Sequence, residues 1–218
     1  VTLESTAPRE YEMESWIREL FQARGSDIEP KAVQMMADHL GTDLQKIDNE
    51  VEKLFTRLPE GTREITAAHI EQNIGISKDF NNFELTRALS DRDMAKALMI
   101  ADHFAADPKG NPLVVTISTL FNHFQRIVTL GIAKWENQKQ GRPAMTGLSE
   151  QEIARMLRLP NPFFAREYIT ASANYPNAKA FAILGWLREF DMKSKGMNAG
   201  SAQDGELLRE LILRIATL

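Results

Sequence analysis

Apolar residues return at steps of three and four along most of this chain, and the rhythm breaks at glycines, prolines and short polar runs. Met13, Trp16, Ile17, Leu20 and Phe21 fall at i, i+3, i+4, i+7 and i+8, the spacing of one helix face, and Gly25 supplies a stop. Pro30 suits the first turn of a second helix, whose Val33, Met36, Ala37 and Leu40 lead to a stop at Gly41. Leu44, Ile47, Val51 and Leu54 make a third stripe, with Lys46, Asp48, Glu50, Glu52 and Lys53 off it. Thr42 is the expected cap of that helix, because Gln45 stands three residues on. After a turn at Leu58-Pro59-Glu60-Gly61, Ile65-Thr66 introduces a short helix bearing Ile70 and Ile74, closed by Gly75.

A boundary is expected after residue 76, where Ile76-Ser77-Lys78-Asp79 turns polar. Beyond it, Phe80, Phe83, Leu85, Ala88 and Leu89 mark a short helix, and Ser90 is the expected cap of a longer one carrying Met94, Ala97, Leu98, Ala101 and Phe104. Pro108 to Pro112 is a break. In the next run, Val114-Val115-Thr116-Ile117 favours strand by propensity, but Ile117, Leu120, Phe121, Phe124 and Val128 keep helical spacing far past ordinary strand length. Ser149 with Glu152 forms a capping box for a helix with Ile153, Ala154 and Leu157. Helices with Phe164, Tyr168 and Ile169, then with Phe181, Leu184 and Leu187, flank Tyr175-Pro176-Asn177. A Gly-, Ser- and Asn-rich loop over 193–204 precedes a closing helix with Leu207, Leu208, Leu211, Ile212 and Ile215. No run alternates with period two, so the expected fold class is all-α.

Composition narrows the function more than the fold. With 218 residues, 43% of them hydrophobic, the chain is long enough for one or two packed domains. It has no cysteine, which removes disulfides and thiolate metal sites and agrees with a reducing compartment. No apolar run reaches membrane-spanning length, so the chain reads as soluble and cytoplasmic. The extended start, Val1 to Pro8, reads as a cut inside a larger protein. The net charge of −4 is uneven: residues 1–75 carry 8 Lys+Arg against 15 Asp+Glu, and residues 76–218 carry 18 against 15. Neither part has the dense basic stripe of an autonomous nucleic-acid binder.

The sequence has no phosphate-binding G-x-x-x-x-G-K-[ST], no H-E-x-x-H, no G-x-S-x-G and no G-x-G-x-x-G. His39, His69, His103 and His123 are isolated from one another, so structural or surface roles are expected for them and no metal site. Glu50 and Glu52 sit on a solvated face without the burial a general acid needs. No catalytic residue, metal or cofactor is expected. Residues 149–175 have the outline of a helix-turn-helix, but the second helix, Phe163 to Tyr175, offers only Arg166 and Asn174 to bases, which favours a packing role. Lys134, Lys139 and Arg142 form a mild basic cluster and are the candidate DNA contacts. Trp16, Trp135 and Trp186 lie on apolar stripes and are assigned to core.

Several stretches in a fixed order carry a family resemblance. Trp16-Ile17, Leu40 to Leu44, Glu50-Val51-Glu52-Lys53-Leu54 and Ile65-Thr66 lead, followed by Asn82 to Leu85 with Ala88-Leu89, Lys96-Ala97-Leu98, Phe121 to Arg126, Glu152-Ile153-Ala154 with Leu157, and Asp191 with Lys195. In this order they resemble the bacterial DNA polymerase III delta subunit, a clamp-loader component. The resemblance implies a three-helix AAA+ lid-like domain over 1–76 and a helical collar domain over 77–218. Gly41, Asp43, Leu44, Glu50, Lys53, Leu54, Phe83, Leu85, Asp191 and Lys195 are its signature positions. It implies a subunit that does not hydrolyse ATP and joins other loader subunits through the collar. The sliding clamp is met by a missing amino-terminal domain, DNA by the assembled complex, and no membrane is involved. An exposed apolar face including residues 113–139 and 177–192 is expected where neighbouring subunits pack. The competing expectation is a helical nucleic-acid-binding module built on residues 149–175.

Overall fold

The structure is a computed structural model, and it describes residues 12–59, 61–77, 79–139, 148–159, 161–197 and 202–218, apart from the side chain of Asp38. The protein is all-α: eleven α-helices, one short 3-10 turn and a single two-residue strand pair occur among the described residues. The chain divides into two compact units, residues up to 83 and residues from 84 on. The division falls in the first turn of α5 (Asn82–Ser90), where the sequence pattern placed a boundary after 76.

The first unit contains α1 (Met13–Ala23), β1 (Asp27–Ile28), α2 (Pro30–Leu40), α3 (Leu44–Arg57), β2 (Glu64–Ile65) and α4 (Ala67–Ile74). Ile17, Phe21, Val33, Ile47, Val51 and Ile70 meet in its core, each fully buried. The strands are parallel, pairing Asp27 with Glu64 and Ile28 with Ile65. Two residues are too few to display a period, so the pattern gave no sign of them. Asp27 N donates to Arg63 O and Glu29 N to Ile65 O, at 2.7 and 2.8 Å. The Glu29 carboxylate also accepts from Ala67 N, at 3.0 Å, so one side chain joins the start of α2 to the start of α4.

Gly41 ends α2 with φ of 65°, a conformation that costs glycine little. Contrary to expectation the cap of α3 is Asp43, not Thr42: the carboxylate accepts from Lys46 N at 3.1 Å. The chain needs both Gly41 and Thr42 to reverse direction, which moves the helix start one residue on. Asp43→Ala is expected to lower the unit's stability by about 1 kcal/mol in urea unfolding, and Thr42→Ala to leave it within about 0.5 kcal/mol. His69 completes a capping box on α4, its Nδ1 accepting from Thr66 N at 3.2 Å while Thr66 Oγ1 accepts from His69 N at 3.4 Å.

In the second unit α6 (Met94–Ala106), α7 (Leu113–Lys139), α8 (Glu150–Leu157), a 3-10 turn (Pro162–Phe164), α9 (Ala165–Asn174), α10 (Asn177–Ser194) and α11 (Asp204–Ala216) follow α5. The helix over the Val114 to Ile117 run confirms that length outweighs strand propensity there. At 27 residues α7 is about 40 Å long, and it packs along α10 and α9, while α6 packs on α11. Gly205 lets the backbone of α11 come against Ala105 of α6, where a Cβ would collide with that residue's Cα at 2.9 Å. The start of α6 is capped by Asp93, which accepts from Lys96 N at 3.0 Å. Ser90, expected in that role, ends α5 and is fully buried. Ser149 and Glu152 form the capping box of α8 as the spacing requires.

Candidate functional site

The signature positions are spread over a turn, buried core positions and surface ion pairs. Gly41 and Asp43 shape the α2–α3 turn, Leu54 is buried in the first core, and Leu44 packs against that core. Glu50 and Lys53 face an open groove on α3, with Lys46, Asn49, Glu52 and Thr56, but they pair with each other at 2.7 Å. Phe83 and Leu85 are buried residues of α5. Asp191 and Lys195 form an i, i+4 pair at 2.7 Å on α10 and its end. Among the described residues no group of three or more His, Asp or Glu is placed to hold a metal ion, and no helix is long and apolar enough to cross a membrane.

Of the candidate DNA contacts, Lys134 and Lys139 are described, and they point to different sides of α7. Lys134 and Lys139 lie five positions apart, about 140° around the helix. Lys134 Nζ donates to Ser172 Oγ of α9 at 2.5 Å, and its burial there lowers its pKa from the ordinary lysine value. Lys139 sits 3.9 Å over the ring of Trp135. Arg142 lies outside the described residues. In the region with a helix-turn-helix outline, α9 buries Ala165, Tyr168 and Ala171. Arg166 pairs with Glu150 at 2.7 Å, and Asn174 donates to Ser90 O at 2.8 Å, so both polar candidates have partners within the fold. Phe163, on the turn before α9, is 68% exposed.

The exposed apolar side chains of the second unit define its most distinctive surface. Val114, Phe121, Ile132 and Trp135 of α7 and Phe181 and Met192 of α10 are all exposed. Trp135, assigned to core by its place in a stripe, is instead 51% exposed, Trp186 is half-buried, and Trp16 packs partly against the first core. Along α7 the solvent-facing positions Val114, Ser118, Phe121, Gln125, Thr129 and Ile132 follow at steps of 4, 3, 4, 4 and 3 without one charged residue. From first to last they span about 27 Å of helix. A solvated helix face is normally charged, and depletion of charge is the compositional mark of an interface core. On α10, Gly185 follows exposed Phe181 by one turn; a Cβ there would touch nothing, so no contact within the fold explains a helix-interior glycine that costs about 1 kcal/mol relative to alanine.

A second cluster had no signal in the sequence. Ser90 of α5, His123 of α7 and Glu167 of α9 converge: Ser90 Oγ lies 3.0 Å from His123 Nε2 and 3.1 Å from Glu167 Oε1, and His123 Nδ1 is 4.0 Å from Glu167 Oε1. Tyr168 stacks near His123 with ring centroids 5.1 Å apart. Serine, histidine and acid suggest a nucleophile set, but Ser90 is fully buried and His123 is 3% exposed, so no substrate reaches the hydroxyl. Burial, with a smaller push from Arg126, lowers the imidazole pKa to about 3, and the ring is neutral.

No family model matches the chain, and no curated protein matches it. Among solved structures, the Bacillus subtilis DNA clamp loader delta protein (YqeN) has a similar fold: the match covers 97% of this chain with a TM-score of 0.56 at 18% identity. This chain spans 57% of the length of that protein, and what the two share is a clamp-loader-like fold.

Proposed function

We propose that this chain is the non-catalytic assembly part of a delta-like clamp-loader subunit, acting in the cytoplasm during DNA replication. The observation that carries the reading is the fold likeness to a clamp-loader delta protein over 97% of the chain. The first unit then corresponds to the AAA+ lid and the second to the collar, and the signature residues, Gly41 and Asp43 to Lys195, act as scaffold. The uncharged face of α7 supports a role in packing against other loader subunits, because water is removed from it at no cost in charge desolvation. On the family resemblance, clamp contact belongs to an amino-terminal domain preceding these units.

Mixing the chain with the other loader subunits of its organism, and separately with the sliding clamp, and measuring mass by light scattering on a sizing column tests this. The expected result is stable incorporation into the loader with no clamp binding. Failure to join a loader that the full-length subunit does join would sink it. A nucleic-acid module at α8 and α9 is the second reading, favoured by exposed Phe163 on the turn before α9 and by exposed Arg155 and Arg158 of α8 and its end. DNA affinity of the isolated chain that falls steeply with salt would support it over the first.

A further inference from the structure

The Ser90 hydroxyl sets a proton count for the buried cluster. It has one hydrogen and two lone pairs, and it has three neighbours: Thr86 O at 2.9 Å, His123 Nε2 at 3.0 Å and Glu167 Oε1 at 3.1 Å. The Thr86 carbonyl only accepts, so it takes the serine hydrogen. The other two must then donate, His123 through Nε2–H and Glu167 through a carboxyl proton. A histidine with its proton on Nε2 and a protonated glutamate satisfy all three contacts, and burial keeps that histidine neutral. An ionised Glu167 would draw the hydrogen away from Thr86, or leave two oxygens facing each other at 3.1 Å with neither donating.

We propose that Glu167 is a proton-linked latch: protonated, it donates to Ser90 and holds α9 against α5 and α7, and loss of that proton loosens α9. The surrounding groups allow it. On α5, a hydrogen bond donated by Ser90 and the Arg87 charge favour the ionised carboxyl, while Asp91, just past the helix, and Glu84 oppose it. On α7, His123 is neutral and Arg126 Nη1 donates to the Tyr168 hydroxyl at 3.3 Å. On α8, Glu150 is engaged by Arg166. Burial is the largest influence, and it pushes the Glu167 carboxyl up to about 7, against an ordinary 4.5. The latch stands apart from the assembly reading and does not depend on it.

The two buried groups act on stability in opposite directions. Glu167, with a raised folded pKa, contributes stability that is fully present below pH 4.5 and is lost as pH rises through about 7. His123, with a lowered folded pKa, contributes stability that is fully present above pH 6.5 and is lost as pH falls toward about 3. Between pH 4.5 and 6.5 the slopes offset, so over that range the unmodified protein's own pH profile hides the latch. Glu167→Gln exposes it, since the amide keeps the shape and an N–H donor but cannot titrate.

Urea unfolding of both proteins is measured from about pH 5 to 8. The folding constant of Glu167→Gln, relative to the parent, is expected to grow roughly 70-fold across that range. Amide exchange, corrected for intrinsic rates, is expected to show α9 losing protection relative to α11 as pH rises in the parent and not in the variant. Carbon-13 titration of the Glu167 carboxyl in the parent is expected to give a midpoint near 7, and it decides the matter even if the variant does not fold. A midpoint below about 5, a pH-independent ratio, or α9 protection that tracks α11 would overturn the latch.

Discussion

Phe121→Glu is expected to abolish incorporation into the loader while leaving the second unit folded. The ring is 40% exposed and lies midway along the uncharged stripe of α7. Glutamate is a good helix former, so the change in the isolated protein's stability is expected to stay within about 1 kcal/mol. In an interface the same carboxylate would be buried among Val114, Ser118, Gln125 and Ile132, which provide no cation. Burying an unpaired charge costs several kcal/mol, enough for more than roughly a hundredfold loss of affinity. Light scattering with the other loader subunits, beside a thermal melt by circular dichroism, reads both effects. Loader assembly at parental affinity with a carboxylate at this position would show that partners do not cover α7.

That prediction rests on a surface the sequence showed only in part. Helices were legible because Ile47, Val51 and Leu54, or Ile153, Ala154 and Leu157, recur at helical steps with the charges elsewhere. The α7 sequence is apolar nearly all round: Leu120 and Phe124 face the core while Phe121 and Trp135 face solvent, and spacing within the helix does not distinguish the two sides. Its neighbours, α10 and α9 with smaller parts from α8 and α11, decide which side is covered. Ser90 shows the same limit at a cap. Its position before Met94 fits a helix start, but His123 and Glu167, 33 and 77 residues away in the chain, draw it into the interior, and Asp93 caps α6 instead. His123 gave no pairing signal because its partners are on other helices. Lys134 and Lys139 were grouped because they are close in sequence, whereas helix geometry turns them to different sides and Ser172 takes the first. Local rules therefore recovered the helices but not the strand pair, and tertiary partners decided the roles of individual polar side chains.

Phe124→Ala should have the opposite outcome to Phe121→Glu, although the two side chains are three residues apart on one helix. Phe124 is fully buried and meets Tyr175 edge to face, with ring centroids 5.2 Å apart and planes at 88°. Tyr175 in turn donates its hydroxyl to Leu89 O at 2.9 Å and lies under the Arg92 guanidinium at 5.3 Å, so the phenylalanine backs the contact that ties the end of α9 to α5. Truncation removes the apolar burial, leaves a cavity and deprives Tyr175 of its edge contact, for an expected cost of about 4 kcal/mol. In a unit of this size that lowers the melting temperature by about 8–16 °C. The loss should appear in the transition of the second unit and not in that of the first, whose core contains neither ring. At a temperature where the variant remains folded, loader incorporation is expected to be retained, because the exposed face of α7 is unchanged. A cost below about 1 kcal/mol would mean that α7, α9 and α10 repack freely around the missing ring. Loss of assembly in the folded variant would mean that the interface depends on the core geometry behind it, and not on the α7 face alone.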